Sequence, residues 1–171
     1  MFNFLKKNCI EEICAPVVGK SFSLEKVPDE MFSNKMLGDG LAFEYEGDTI
    51  YSPCDGKIMM VADTNHAVGM KTNSGMEILI HVGLDTVMLG GRGLEVFVKE
   101  NDKVKKNEPI IKIDRAFMKE KNINLVTPLI ITNTSEYVMD ITMNEDVDLN
   151  SIVLRLSLIH ISEPTRRSYI S

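Results

Sequence analysis

The stretch from Thr64 to Asp85, TNHAVGMKTNSGMEILIHVGLD, restricts the fold more than any other part of the chain. Its second half, Met76 to Val82 (MEILIHV), has the aliphatic density of a strand in a packed sheet. Thr72-Asn73-Ser74-Gly75 precedes it, and Asn, Ser and Gly supply the local hydrogen bonds and positive φ of tight turns. With His66 to Lys71 as a shorter first arm, the segment reads as a β-hairpin. A turn centred between Asn73 and Ser74 sets Lys71 opposite Met76, Gly69 opposite Ile78 and His66 opposite His81. Directly opposed residues of antiparallel strands share a face, with Cβ atoms roughly 4.5–5.5 Å apart, so this register gathers two imidazoles around one small group. A slip of one residue sends them to opposite faces. Alternation places Glu77 and Leu79 on the His81 face and turns Ile78, Ile80 and Val82 toward a core. A lone histidine in such a place is more often a hydrogen-bonded structural residue than a ligand. Two histidines opposed by register point to a site, and the spacing alone fits a metal site as well as a transfer site.

The remaining chain reads as a frame for this hairpin. Its 171 residues suit one domain with one sizeable core, and a hydrophobic fraction of 44% with 26% charged residues is that of a folded globule. The net charge of −6, with basic runs only at Lys6-Lys7, Lys103-Lys105-Lys106 and Arg166-Arg167, argues against nucleic acid as a partner. No apolar segment approaches the roughly 20 residues that span a bilayer, and Met1 to Lys7 lacks the apolar region of a secretory signal, so a cytoplasmic protein is expected, at most peripheral to the inner face of the membrane. Cys9, Cys14 and Cys54 show no CxxC spacing and read as reduced structural thiols. Met1 to Asn8, MFNFLKKN, reads as a frayed end within an extension over 1–10. From Glu11 the pattern is short apolar stretches broken by turns such as Glu46-Gly47-Asp48 and Pro53-Cys54-Asp55-Gly56. Only Asp114 to Asn122 resembles a helix, with Asp114 as N-cap and Phe117 and Met118 facing inward, while the lysine-rich 99–107 segment reads as a solvated turn.

An internal echo supports a duplicated β architecture. Ala15-Pro16-Val17-Val18-Gly19-Lys20 is matched by Ser52-Pro53-Cys54-Asp55-Gly56-Lys57. Proline at a strand start removes no needed ladder donor, and glycine permits a sharp bend at a barrel corner. The fold class expected is therefore all-β, an antiparallel β-sandwich or barrel with duplicated strand motifs and at most short helices.

Between about Ile13 and Leu156 these residues resemble the glucose-family EIIA component of the bacterial phosphoenolpyruvate-dependent sugar phosphotransferase system. The resemblance rests on Ala15-Pro16 with Gly19, Val27-Pro28-Asp29, Met36-Leu37-Gly38-Asp39-Gly40, Ser52-Pro53 with Asp55-Gly56, Thr64-Asn65-His66-Ala67, the run Glu77 to Val87, and Thr127-Pro128. It implies the duplicated-hybrid-motif type of β fold and a phosphohistidine enzyme without cofactor or metal. It further implies that His81 accepts a phosphoryl group from the phosphocarrier protein HPr and passes it to an EIIB domain of the EIIB/EIIC sugar permease. His66 would stabilise the phosphoryl group and Thr64, two residues earlier on the same strand face, would orient His66. A backbone carbonyl near Gly83 would hold one nitrogen of His81 and leave Nε2 free, and Asp85 would take a structural hydrogen-bonding or a catalytic role close to the site. Phe32, Met36, Leu37, Val68, Leu79 and Val87 match the docking-face positions, a rim rich in methionine and aliphatic side chains that suits more than one partner.

Imidazole is a good nucleophile near neutral pH, and transfer of a phosphoryl group rests mainly on positioning and charge stabilisation. Three other readings compete with this one. A regulatory module would dock target proteins according to its phosphorylation state. A zinc hydrolase on a related scaffold would need three protein ligands, and neither an H-x-H nor an H-E-x-x-H motif is present. A biotin or lipoyl carrier would need a lysine in a Met-Lys-Met type of hairpin tip, which is lacking. The resemblance gives a body over 11–156. The following residues, 157–171 (SLIHISEPTRRSYIS), read as an appended tail outside the family pattern, and His160 within it receives no role. The methionine close to the start of the body favours a free-standing protein.

Overall fold

Glycine and proline punctuate this chain into short strands, and the computed structural model, which describes residues 11–143 and 145–159, is mainly antiparallel β. The N-terminal extension and the tail from residue 160 onward lie outside the described residues. The first three strands are β1 (Glu11–Cys14), β2 (Gly19–Ser23) and β3 (Asp39–Tyr45). Seven more follow: β4 (Thr49–Tyr51), β5 (Gly56–Val61), β6 (Ala67–Lys71), β7 (Glu77–His81), β8 (Leu94–Val96), β9 (Lys103–Val104) and β10 (Pro109–Ile113). The last are β11 (Thr127–Ile131), β12 (Tyr137–Ile141), β13 (Asp146–Val147) and β14 (Ile152–Leu158). β14 thus continues past Leu156, where the resemblance ends, and its last residues pair with β12.

An eight-stranded sheet runs in the order β13-β2-β3-β11-β7-β6-β5-β9, and two three-stranded sheets run β1-β14-β12 and β4-β10-β8. Replacing β1, β2, β3, β11, β12, β13 and β14 by β4, β5, β6, β7, β8, β9 and β10 reproduces every one of these pairings. The chain is two equivalent halves, with the second inserted whole between β3 and β11. The echoed motifs mark the same place in each: Gly19 opens β2 and Gly56 opens β5. Both glycines answer a close backbone approach, since a Cβ on Gly19 would lie 2.0 Å from the Glu44 carbonyl oxygen and one on Gly56 2.7 Å from that of Lys71. The two prolines lock the halves crosswise, the Pro53 carbonyl accepting from the Cys14 amide at 2.9 Å and the Pro16 carbonyl from the Tyr51 amide at 2.8 Å.

Leu129 of β11 faces Ile80 of β7 at the centre of the large sheet, where the approximate two-fold axis crosses. One residue further along each strand, Ile130 is therefore the counterpart of His81. The main core fills the space between the large sheet and the two small ones, and includes Ile78, Ile80, Val82, Leu129, Ile131, Val153 and Leu154. Burying each aliphatic side chain of this size contributes about 1.5–3 kcal/mol. A smaller cluster of Leu24, Val27, Phe32, Ala42, Leu84 and Ile130 covers part of the sheet's other, outer face.

The helix expected near 114–122 forms as a single short one, here α2 (Arg115–Glu120), with the Asp114 carboxylate accepting from the Phe117 amide at 3.1 Å and Met118 buried. A second short helix was not foreseen. This is α1 (Glu30–Ser33), whose N-cap Asp29 accepts from the Met31 amide at 2.9 Å. One turn of helix is too short to show a 3.6-residue period, so its cap was the only local signal. The segment read as a solvated turn over 99–107 contains the edge strand β9, with Val104 buried. Among the described residues no helix is long and apolar enough to cross a membrane.

Candidate functional site

The β6–β7 hairpin forms, in a register one residue away from the expected one. Lys71 pairs with Glu77, Gly69 with Leu79 and Ala67 with His81, so Ala67 rather than His66 stands opposite His81. The cause is a longer turn. Thr72 faces Met76, its amide donating to the Met76 carbonyl at 2.9 Å and its hydroxyl accepting from the Met76 amide at 3.1 Å, so Gly75, at φ +97°, joins Asn73 and Ser74 in the reversal.

The two imidazoles nevertheless meet, with ring centroids 4.9 Å apart and planes at 75°. His66 escapes the alternation rule because it lies ahead of β6, in a turn where the Asn65 amide donates to the Ala62 carbonyl at 2.8 Å and Asn65 adopts left-handed φ +60°. The backbone of His66 is tied to the end of β7 by the Val82 amide, which donates to its carbonyl at 2.7 Å. Thr64 belongs to this turn and not to a strand, and its hydroxyl lies 2.6 Å from His66 Nδ1. On the other side, the Phe32 ring meets His81 edge-on at a centroid distance of 4.9 Å.

His81 Nδ1 lies 2.9 Å from the Gly83 carbonyl oxygen, which can only accept. The Nδ1 proton is thus held there and Nε2 carries the free lone pair. The turn that aims this carbonyl requires glycine, since Gly83 has φ +73° and an added Cβ would lie 2.7 Å from the Thr86 methyl and 3.0 Å from the Asn124 carbonyl oxygen. Thr86 fixes the turn further by donating from its hydroxyl to the Val82 carbonyl at 2.6 Å. Burial holds the pKa of His81 below the usual 6.5, the nearby His66 pushes it the same way, and the Gly83 carbonyl and Asp29 oppose them in part. Burial also lowers the pKa of His66. Both rings are therefore favoured in the neutral, nucleophilic form at neutral pH. Asp85 is exposed and left-handed at φ +59°, and it heads the 3-10 turn Thr86–Leu89 without a side-chain capping bond. Its contribution there is a backbone carbonyl that accepts from the Met88 amide at 3.2 Å.

The expected docking rim is brought together only in part. Met36 (70% exposed), Leu37 and Val87 are open to solvent and Leu79 is half-buried beside His81. Phe32 is 2% exposed and Val68 0%, so neither belongs to a surface. Phe32 is the wall beneath His81, and Val68, paired with Ile80, points into the main core as the observed register dictates. Residue type missed two further exposed apolar side chains, Met31 and Met88. Their signal was position, one in the helix that carries Phe32 and the other in the turn that follows Gly83.

Residues 11–137 match the family model described as phosphoenolpyruvate-dependent sugar phosphotransferase system, EIIA 1. The glucose-specific EIIA component of Borreliella burgdorferi is 40% identical over 134 residues, which are 78% of this chain and 71% of that protein. The glucoside-specific EIICBA component of Staphylococcus carnosus is 46% identical over 121 residues, and its glucose-specific EIICBA component 38% identical over 135. The chain covers 71% and 79% of its own length in those two matches but spans only 18% and 20% of the relatives. Among solved structures, the glucose permease IIA of Mycoplasma capricolum superposes with a TM-score of 0.80 at 34% identity, covering 85% of this chain and 94% of that one. Fold, sequence and structural likeness agree, and the chain belongs to the EIIA 1 family of the phosphoenolpyruvate-dependent sugar phosphotransferase system, a family of phosphoryl-transfer components of sugar uptake.

Proposed function

We propose that His81 is the phosphoryl carrier of this chain, accepting from phospho-HPr and delivering to an EIIB domain. The observation that carries this reading is the Gly83 carbonyl on His81 Nδ1, which leaves Nε2 as the attacking nitrogen. In the first step the N–P bond of the donor phosphohistidine breaks as a bond forms between phosphorus and His81 Nε2. In the second, an acceptor side chain of EIIB takes the group and His81 returns to its starting state. His66 stabilises the phosphoryl oxygens. With the Thr64 hydroxyl donating to its Nδ1, His66 carries its proton on Nε2 and can donate it to an oxygen of the transferred group. Asp85 and Gly83 shape the loop that holds His81. The exposed rim of Met36, Leu37 and Val87, with Leu79 beside the ring, excludes water when a partner docks. The fused EIICBA architecture of the Staphylococcus relatives supports an EIIB/EIIC permease as the acceptor.

Incubation with phosphoenolpyruvate, enzyme I and HPr, followed by intact-mass measurement, tests the reading. One acid-labile phosphoryl group is expected on the wild type and none on His81→Ala. Equal labelling of the variant overturns it. His66→Gln is expected to accept the group and pass it on slowly; unimpaired onward transfer removes His66 from the mechanism.

A further inference from the structure

Three exposed thioethers lie on the elements that flank the two histidines, and each comes from a separate one. Met36 follows α1, Met88 lies in the 3-10 turn after Gly83, and Met60 reaches from β5 across Gly69, where a Cβ would lie 2.9 Å from its Cγ. Gly69 pairs with Leu79 on the His81 face, so Met60 fills the outer surface next to the site. Met88 is 80% exposed, Met36 70% and Met60 43%. Met70, Met76 and Met118, by contrast, are fully buried in the core. Met31 (48%) and Met59 (43%) are less exposed than Met88 and Met36, while Cys14 and Cys54 are buried, and burial pushes both thiols up in pKa, which keeps them protonated and poorly reactive.

We propose that this methionine rim is an oxidation switch on docking, in which a peroxide converts the Met36 and Met88 thioethers to sulfoxides and so weakens the approach of phosphoryl donor and acceptor. The step balances as thioether plus hydrogen peroxide giving sulfoxide plus water, with sulfur oxidised by two electrons and the peroxide oxygen reduced. A sulfoxide replaces an apolar, adaptable contact with a polar one that must be desolvated in the interface, and sulfoxide reductases reverse the change. The inference rests on the transfer function proposed above, because it supposes that partners dock on this rim.

The test uses the full chain carrying Cys9→Ser, treated with hydrogen peroxide and analysed by peptide mass mapping and by the rate of phosphoryl acceptance from phospho-HPr. Sulfoxide is expected first at Met88 and Met36, with none at Met70, Met76 or Met118 while the fold persists. The rate is expected to fall about tenfold and to recover with methionine sulfoxide reductase. A Met36→Leu/Met88→Leu double variant, compared with its own untreated rate, is expected to lose little on peroxide treatment. An oxidised wild type that transfers at its untreated rate, or a double variant that loses as much as the wild type, overturns the switch alone. Failure of the untreated protein to accept any phosphoryl group overturns the transfer function and the switch with it.

Discussion

The outer face of the large sheet is the same surface twice, finished differently. Over one half, the connection between β2 and β3 runs through Leu24, Val27 and Phe32 and seals Ala42 and Ile130. Over the other, β5 and β6 are joined only by the short turn from Ala62 to His66, and the sheet beneath stays open. Ile130 and His81 occupy equivalent places, yet one is buried in an apolar cluster and the other half-exposed between two rings. Connection length, more than strand geometry, makes the difference. The site sits on the boundary, with Phe32 from the long connection on one side of His81 and His66 from the short turn on the other. Each half supplies one wall.

His81→Ile breaks the comparison most completely by giving both halves the same residue. Phosphoryl acceptance is expected to fall below detection in the mass assay, while the midpoint of thermal unfolding stays level or rises, since a β-branched apolar residue suits a half-buried strand. Phe32→Ala removes the wall that the short connection has no equivalent for. Emptying so buried a site is expected to cost about 3–5 kcal/mol by chemical denaturation, the usual range for a core phenylalanine. A value near that of a surface substitution would show that the long connection is not packed as described. Gly83→Ala probes the loop that aims the free nitrogen. The positive φ and the crowded Cβ position predict a loss of about 1–3 kcal/mol, with a transfer rate that falls further than the unfolding data explain.

The smallest expected effect is on pH dependence. The folded pKa values of His66 and His81 lie below the ordinary 6.5 of the unfolded chain. The unfolded state then binds more protons across that interval, so stability is fully present above pH 6.5 and is lost as pH falls through the lower, folded values. Denaturation midpoints followed downward from pH 7.5 are expected to decline below pH 6.5, and less steeply in His81→Gln. Identical slopes would mean that the open half leaves His81 as well hydrated as in the unfolded chain.

The sequence exposed much of this arrangement. Alternation in Glu77 to His81 identified the core side chains Ile78 and Ile80, and the paired Pro and Gly motifs marked where each half begins. Register was the point of failure, because turn composition tells that the chain reverses without telling how many residues the reversal consumes. Thr72 could have faced Gly75 or Met76, and its hydrogen bonds to Met76 decide for the longer reversal, which takes in Gly75. That one residue explains the misplacement of Val68 as well, since its burial follows from facing Ile80. The meeting of the histidines survived the slip through Asn65, whose left-handed backbone frees His66 from strand alternation. Asparagine tolerates that conformation, but sequence does not say where the next side chain will point. The burial of Phe32 was hidden for a different reason: its partner Ile130 is distant in sequence, and an apolar residue on a short helix reads alike for rim and core.

The interlaced order of the strands has a consequence for how the chain acquires its structure. Among the described residues β1 has a single neighbour, β14, with Glu11 opposite Leu156, and β14 is also the strand that anchors β12. The inserted half also joins its first strand to its last, Tyr51 of β4 facing Pro109 of β10, but it is complete by Ile113 and can condense while the polypeptide is still being made. The outer half cannot, because its first strand waits for its last. Pairings between such distant residues carry a large loop-closure entropy and slow folding. Synthesis interrupted before Ile152 therefore leaves β1 and β12 without their ladders, and a ribosome-bound chain of that length is expected to be open to proteolysis over its first strand while the inserted half is already resistant.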